Sequence, residues 1–150
     1  IGTASSTGGS TGEPVPYFHD TATHQAAMAA TVYTQLRMGW QPGMPLVILW
    51  GSEKDIRREV SWKNKLYGEL RNELLIDAYR MSDETVDRTL LLCQRYGPVA
   101  IYGFTSILEY VARRTLERGL VPPSGLVQVA WNGGEMLFPE QDALFKQAFG

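Results

Sequence analysis

Apolar residues fall along this chain in two alternating rhythms, short unbroken runs and longer stretches with a helical repeat. Leu46-Val47-Ile48-Leu49-Trp50 is the first unbroken run, bounded by Pro45 and Gly51. It predicts a strand buried on both faces, because a strand covered on one side only alternates apolar with polar residues. Leu74 to Tyr79, Val99 to Tyr102 and Leu126 to Trp131 predict three more strands. Between them the helical repeat takes over. Ser82 ahead of Asp83 and Glu84 opens a helix that turns Val86, Leu90 and Cys93 inward and stops at Gly97-Pro98. Ser106 with Glu109 three residues on has the capping-box spacing, and Ile107 and Val111, with Leu108 beside them, face the core of a helix ended by Gly119. Pro139 suits the first position of a last helix. Upstream, Thr21 to Met38 sets Ala22, Ala26, Ala29, Tyr33 and Leu36 at helical spacing, with Asp20 or Thr21 as cap and Gly39 as stop. Val15 to Phe18 predicts a short strand, and the charged stretch from Asp55 to about Leu70 a further helix.

Strands alternating with helices of about ten to fifteen residues imply parallel strands joined by right-handed crossovers. The expected fold is α/β: a three-layer, mostly parallel sheet with flanking helices, preceded by a Gly/Ser/Thr-rich loop and a short strand. Ligands of such sheets sit beyond the carboxyl ends of the strands. The candidate loops are therefore Trp50-Gly51-Ser52, Gly103-Phe104-Thr105 and Asn132-Gly133-Gly134-Glu135.

Composition narrows the classes of partner. The 150 residues are 44% hydrophobic and 11% aromatic, enough for one domain with a core. A formal net charge of −2 removes the electrostatic case for nucleic acid or an anionic membrane. Arg57, Arg58, Lys63 and Lys65 are interleaved with Glu53, Asp55, Glu59 and Glu69, the pattern of a solvated helix face. No apolar run approaches the ~20 residues that span a bilayer. The single cysteine, Cys93, excludes an internal disulfide and fits a reducing, cytoplasmic setting; its place on an apolar stripe makes it a small buried hydrophobe. Ile1 in place of an initiator Met suggests a piece of a longer chain. His19 at a strand end and His24 in a first helical turn are expected to be exposed rather than catalytic.

Thr7 to Pro14 reads T-G-G-S-T-G-E-P. Gly8, Gly9 and Gly12 allow several amide N–H groups to turn toward one anion, and Thr7, Ser10 and Thr11 add hydroxyl donors. Glu13 stands where a P-loop NTPase carries lysine, and no helix follows. The residues alone suit a flexible linker over Ala4 to Gly12 as well as a phosphate loop.

The loops in order resemble one family. T-G-G-S-T-G-E-P is similar to the phosphate loop of adenylate-forming enzymes, Ser/Thr-Ser-Gly-Ser/Thr-Thr-Gly-x-Pro. Trp40-Gln41-Pro42-Gly43, Leu49-Trp50-Gly51, Ile101-Tyr102-Gly103-Phe104-Thr105-Ser106 and Asn132-Gly133-Gly134-Glu135-Met136-Leu137 resemble the phenylacetate–coenzyme A ligase branch, which includes capsular polysaccharide biosynthesis proteins. The likeness runs from Ser5 to Gly150, a central fragment of the family's N-terminal domain. It implies activation of a small carboxylic acid by ATP to an acyl-adenylate, with Mg2+ and, for the thioester step, coenzyme A. It places ATP phosphates at Thr7, Gly8, Gly9, Ser10, Thr11 and Gly12, adenine at Gly133, Gly134 and Glu135, and the acyl pocket at Trp50, Phe104 and Thr105. Gly8 replaces the family's usual serine and Glu13 a frequent lysine. The family's magnesium-binding aromatic-Gly-x-Ser/Thr-Glu segment, its ribose-binding aspartate and its C-terminal lysine are not in this sequence, so neither a catalytic residue nor a metal ligand is assigned.

On this reading residues 1–20 form a phosphate-loop segment, a flexible arm, and residues 21–150 an α/β subdomain, inactive alone. Two other readings stand beside it: a non-catalytic α/β binding or scaffold protein that forms a homodimer over an unfinished sheet edge, and an unrelated nucleotide-binding or transferase domain with a glycine-rich linker.

Overall fold

A computed structural model of the chain describes residues 2–6, 15–50, 68, 70–78 and 81–150. The glycine-rich run at residues 7–14 and the cluster Arg57, Arg58, Lys63 and Lys65 lie outside the described residues. Packing divides the chain into two units, Ile1–Met38 and Gly39–Gly150. That boundary falls well past the residue 20 at which the sequence reading divided it.

In the first unit β1 (Thr3–Ser6) pairs antiparallel with β2 (Pro16–His19), Ala4 opposite Phe18 and Ser5 opposite Tyr17. Ala4, Ser5 and Ser6 are thus ladder residues, where a linker was one expectation. The segment from Thr3 to Ser6 carries no apolar alternation of its own, and pairing with β2 is what makes it a strand. Helix α1 (Thr21–Met38) starts as expected. Asp20 Oδ1 accepts the Thr23 amide at 2.7 Å, and that bond holds the Asp20 carboxyl below its ordinary range. The α1 stripe is not buried: the helix has no buried residue, and Tyr33 is 65% exposed. His24 is exposed, and His19, half-buried, stacks on it with ring centroids 5.9 Å apart.

The second unit is a four-stranded parallel sheet, β3 (Leu46–Trp50), β4 (Glu73–Asp77), β5 (Val99–Gly103) and β6 (Val127–Asn132), in the order β4-β3-β5-β6. Helices α2 (Asp83–Tyr96), α3 (Thr105–Glu117) and α4 (Pro139–Phe149) flank it. The register sets Val47 beside Leu74 and Ile101, and Leu49 beside Ile76 and Gly103, on one face. That face packs with Val86, Leu90 and Cys93 of α2, Leu108, Val111 and Ala112 of α3, and Phe145, Ala148 and Phe149 of α4. The other face carries Leu46, Ile48 and Trp50 with Ala100, Tyr102, Val129 and Trp131, covered near its base by Trp40 and Met44. The expectation that β3 is buried on both faces is corrected here. Val47 and Leu49 are fully buried against the described helices α2, α3 and α4, whereas on the other face Leu46 is buried and Ile48 and Trp50 are half-buried.

Most local signals act as the sequence predicts. Ser82 Oγ accepts the Thr85 amide at 3.3 Å and caps α2, and Gly119 takes a φ of +64° where α3 ends. Two ion pairs tie α2 to α3, Arg114 to Asp83 at 2.7 Å and Arg118 to Asp87 at 2.8 Å. The Ser106 capping box is a correction. Phe104 is the N-cap of α3 and offers no side-chain acceptor, while the Glu109 carboxylate binds Arg113 at 2.7 Å and Gln141 at 2.6 Å.

Cys93 is buried as expected, and burial pushes its thiol up from 9.0 to about 11. Folding therefore favours the protonated thiol: this contribution is fully present below pH 9 and is lost as pH rises through about 11. Iodoacetamide at pH 8 should alkylate the native chain about 100-fold more slowly than the urea-unfolded chain, since so little thiolate forms. Equal rates in the two states would place Cys93 at the surface.

Candidate functional site at the strand ends

The chain leaves β3 for β4 on one side, then crosses back to β5 and β6 on the other. Strand order therefore reverses between β3 and β5, and the crevice beyond their carboxyl ends is where sheets of this type bind ligands. Trp50 ends β3, and Phe104 follows β5. Their rings stack at 4.0 Å with an interplanar angle of 23°. The stack extends along the sheet: Trp50 to Tyr102 at 5.6 Å, and Tyr102 to Trp131 at 5.8 Å. All four rings are half-buried. Planar groups with one face on protein and an edge toward solvent suit a flat or apolar ligand.

Asn132-Gly133-Gly134-Glu135 closes over this row. The Gly133 amide donates to the Gly103 carbonyl at 3.0 Å and extends the β5–β6 ladder by one bond. A Cβ on Gly133 would stand 2.6 Å from the Tyr102 hydroxyl, and one on Gly134 would stand 2.7 Å from the Phe104 ring. Gly134 also has a φ of +78°, which side chains resist. Both glycines are therefore required by the approach of the turn to the aromatic row.

Of the predicted site residues, Trp50, Phe104, Gly133 and Gly134 come together. Thr105 lies beneath them at 1% exposure; its hydroxyl accepts from Asn132 Nδ2 at 2.8 Å, so it braces the loops from inside. The Glu135 carboxylate takes the Ser106 amide at 2.6 Å and the Ser106 hydroxyl at 2.9 Å. Thr7, Gly8, Gly9, Ser10, Thr11 and Gly12 lie outside the described residues. Tyr102, Trp131 and Ser106 were not read as site residues, and Asn132 was read only as part of a candidate loop. Spacing of two marks Tyr102 and Phe104 as same-side neighbours, but only the strand register reveals that Trp50 and Trp131 join them.

A groove of about 210 Å³ runs elsewhere, along the free edge of β6 against α4, lined by Val127, Val129, Trp131, Phe145 and Phe149 among others. It shares only Trp131 and Asn132 with the strand-end loops. By strand order and loop geometry the candidate site is the crevice rather than this groove. Among the described residues no group of three or more His, Cys, Asp or Glu side chains could hold a metal, and no helix is long and apolar enough to cross a membrane.

No protein-family model and no curated protein matches the sequence. Solved structures do. 2-Hydroxyisobutyryl-CoA ligase in an open conformation with 2-HIB-AMP and CoA aligns with a TM-score of 0.65 and 17% identity, over 98% of this chain and 31% of that one. The same ligase in the thioesterification state, again with 2-HIB-AMP and CoA, gives 0.65 and 19% over the same shares. Its postadenylation state with R3-HIB-AMP gives 0.63 and 18%, over 98% of this chain and 30% of that one. The chain spans less than a third of the length of these neighbours. What the likeness establishes is architecture: the chain has the α/β fold found within an acyl-CoA ligase.

Proposed function

We propose that this chain is a part of an ATP-dependent carboxylate-activating ligase, the part that carries the phosphate loop, the adenine-facing turn and one wall of the acyl pocket. One observation carries the reading. Loops whose sequences resemble the adenylate-forming pattern stand, in order, on a fold that an acyl-CoA ligase matches over 98% of this chain. In the reaction a substrate carboxylate oxygen attacks the α-phosphorus of ATP, an acyl-adenylate forms and pyrophosphate leaves. The thiol of coenzyme A then attacks the acyl carbonyl and releases AMP.

The backbone of Gly133 and Gly134 would lie along the adenine, and Trp50 and Phe104 would line the acid, which favours an aromatic or apolar substrate. Thr7, Gly8, Gly9, Ser10, Thr11 and Gly12 would hold the phosphates through backbone amides and hydroxyls. Magnesium is not given a site, since no cluster of suitable donors exists among the described residues. With the family's magnesium-binding acid and lysine absent from the sequence, the chain alone would hold nucleotide without turning it over. The wording of the loops from Trp40 to Leu137 favours the phenylacetate–coenzyme A ligase branch.

The test is carboxylate-dependent exchange of labelled pyrophosphate into ATP by the full natural product that contains this chain. Exchange that requires an added acid is the expected result.

The scaffold reading draws support from one feature. Among the described strands β6 lies at an edge, V-Q-V-A-W-N, without charge or proline to deter pairing, and its groove sets Val127, Val129, Trp131, Phe145 and Phe149 beside Asp142 and Lys146. A strictly monomeric chain by light scattering would remove that reading.

A further inference from the structure

Helices α2, α3 and α4 solve the same end problem in different ways. The first N–H groups of any helix lack partners within it. In α2, Ser82 supplies a local hydroxyl acceptor. In α4, the Gln141 side chain reaches back to the Phe138 amide at 3.0 Å, and its backbone bonds the Phe138 carbonyl. The residue before α3 is Phe104, which has no acceptor to offer and whose ring is committed to the stack on Trp50. The acceptor for α3 comes instead from Glu135, 29 residues further along the chain.

From this borrowed cap we infer that Glu135 is a positioning residue, which fastens the Asn132–Glu135 turn to the first turn of α3 and so holds the glycine backbone and the Trp50–Phe104 stack as one preformed surface. The inference rests on the reading that this surface receives a nucleotide, and it gives Glu135 a role other than contact with adenine.

Two side-chain stitches supplement the Gly133–Gly103 backbone bond and a 3.4 Å bond from the Thr105 hydroxyl to the Glu135 carbonyl. Glu135 binds the Ser106 amide and hydroxyl through its two carboxylate oxygens, at 2.6 and 2.9 Å. Asn132 Nδ2 donates both to the Thr105 hydroxyl at 2.8 Å and to the Glu135 carbonyl at 2.9 Å, closing the turn from beneath. Thr105 is 1% exposed, so the Asn132–Thr105 bond is partly shielded from water, whereas the Glu135 bonds to Ser106 lie at the exposed rim. A carboxylate at a helix N-terminus gains from the helix dipole and from charge-assisted bonds, which is why the rim stitch holds in water. Between the two stitches Gly133 and Gly134 sit against Tyr102 and Phe104. Releasing the Glu135 carboxylate leaves the turn attached through Asn132, through the Thr105 hydroxyl on the Glu135 carbonyl at 3.4 Å and through the Gly133–Gly103 backbone bond, with nothing to hold its outer rim to α3. The turn is then held less firmly against the aromatic row, most of all at Gly134, and a ligand must spend binding energy to restore it.

The test combines two readouts on the 150-residue chain: amide hydrogen exchange at Ser106 by NMR, and titration with ATP in the presence of magnesium. Glu135→Ala should speed Ser106 exchange at least tenfold and weaken ATP at least fivefold, with Val111 exchange in mid-α3 unchanged. Glu135→Gln retains one carbonyl acceptor and should fall between wild type and alanine in both readouts. Unchanged Ser106 exchange in Glu135→Ala overturns the cap. Faster exchange with undiminished ATP affinity overturns the positioning role. A wild-type chain that binds no ATP overturns the nucleotide reading and the positioning role with it, while Ser106 exchange still reports the cap by itself.

Discussion

Gly103→Val is expected to cost the α/β unit about 3 kcal/mol or more, a fall on the order of 10 °C in its thermal midpoint. β5 lies between β3 and β6, so it has no free side toward which to yield. A Cβ at position 103 would stand 2.9 Å from the Leu49 carbonyl oxygen and 3.1 Å from the Leu49 Cβ, with Leu108 Cγ at 3.5 Å. The first of these contacts is backbone, in the strand that pairs with β5 at that residue, and relief would require shifting the β3–β5 ladder. The same ladder carries Trp50 and Phe104 to the crevice, so the substitution should also disturb their stack. Thermal unfolding followed by circular dichroism, together with near-ultraviolet ellipticity, measures both effects; a midpoint within 2 °C or so of wild type would show that the strands have room to part.

Leu108→Ala should be comparably severe, at about 2–5 kcal/mol. Leu108 is fully buried, in the cluster formed by the sheet with α2, α3 and α4. Truncation there removes apolar contact and leaves a cavity whose walls belong to strands and helices already fixed by hydrogen bonds. Ile107, on the same helix, is half-buried and packs at the margin of the cluster. Its truncation should cost clearly less. Denaturant unfolding of the two variants in parallel checks the order, and a larger loss for Ile107→Ala would mean that α3 is rotated about its axis.

That pair of residues shows how far the sequence reading reaches. The strands of the second unit and the helices that flank them announce themselves because an apolar run, a helical repeat, a capping serine and a terminating glycine are local signals that tertiary packing does not override. Which side of α3 is deepest is not a local property, and the reading ranked Ile107 with Val111 where the structure buries Leu108 instead. β1 escaped for a similar reason: the segment from Thr3 to Ser6 becomes a strand through its partner, Pro16–His19. The capping box at Ser106 and Glu109 had the right spacing, but Glu135 occupies the Ser106 amide from a different crossover and Glu109 is drawn to Arg113 and Gln141. Nothing near Ser106 in the sequence announces that exchange of partners.

The site was legible to the extent that strand ends are. Trp50, Phe104, Gly133 and Gly134 were identifiable as neighbours of the crevice, since the βα alternation fixes which loops meet there. Their contact through stacked rings depends on register, as does the addition of Tyr102 and Trp131 to the row. Thr105 was placed at the ligand by its position after β5, yet the turn into α3 carries it under the surface, where its hydroxyl braces Asn132.

The central claim is that these loops belong to an enzyme that activates a carboxylic acid with ATP. Its most direct measurement is pyrophosphate exchange by the full natural product, in wild type and with Ser10→Ala and Thr11→Ala together. On the proposed reading each lost hydroxyl would remove a bond to a charged phosphate oxygen, about 1.5–3 kcal/mol apiece where fully formed. Exchange should depend on an added aromatic or apolar acid and fall at least 100-fold in the double variant. No exchange with any carboxylic acid, or exchange that the double substitution leaves intact, would contradict the claim.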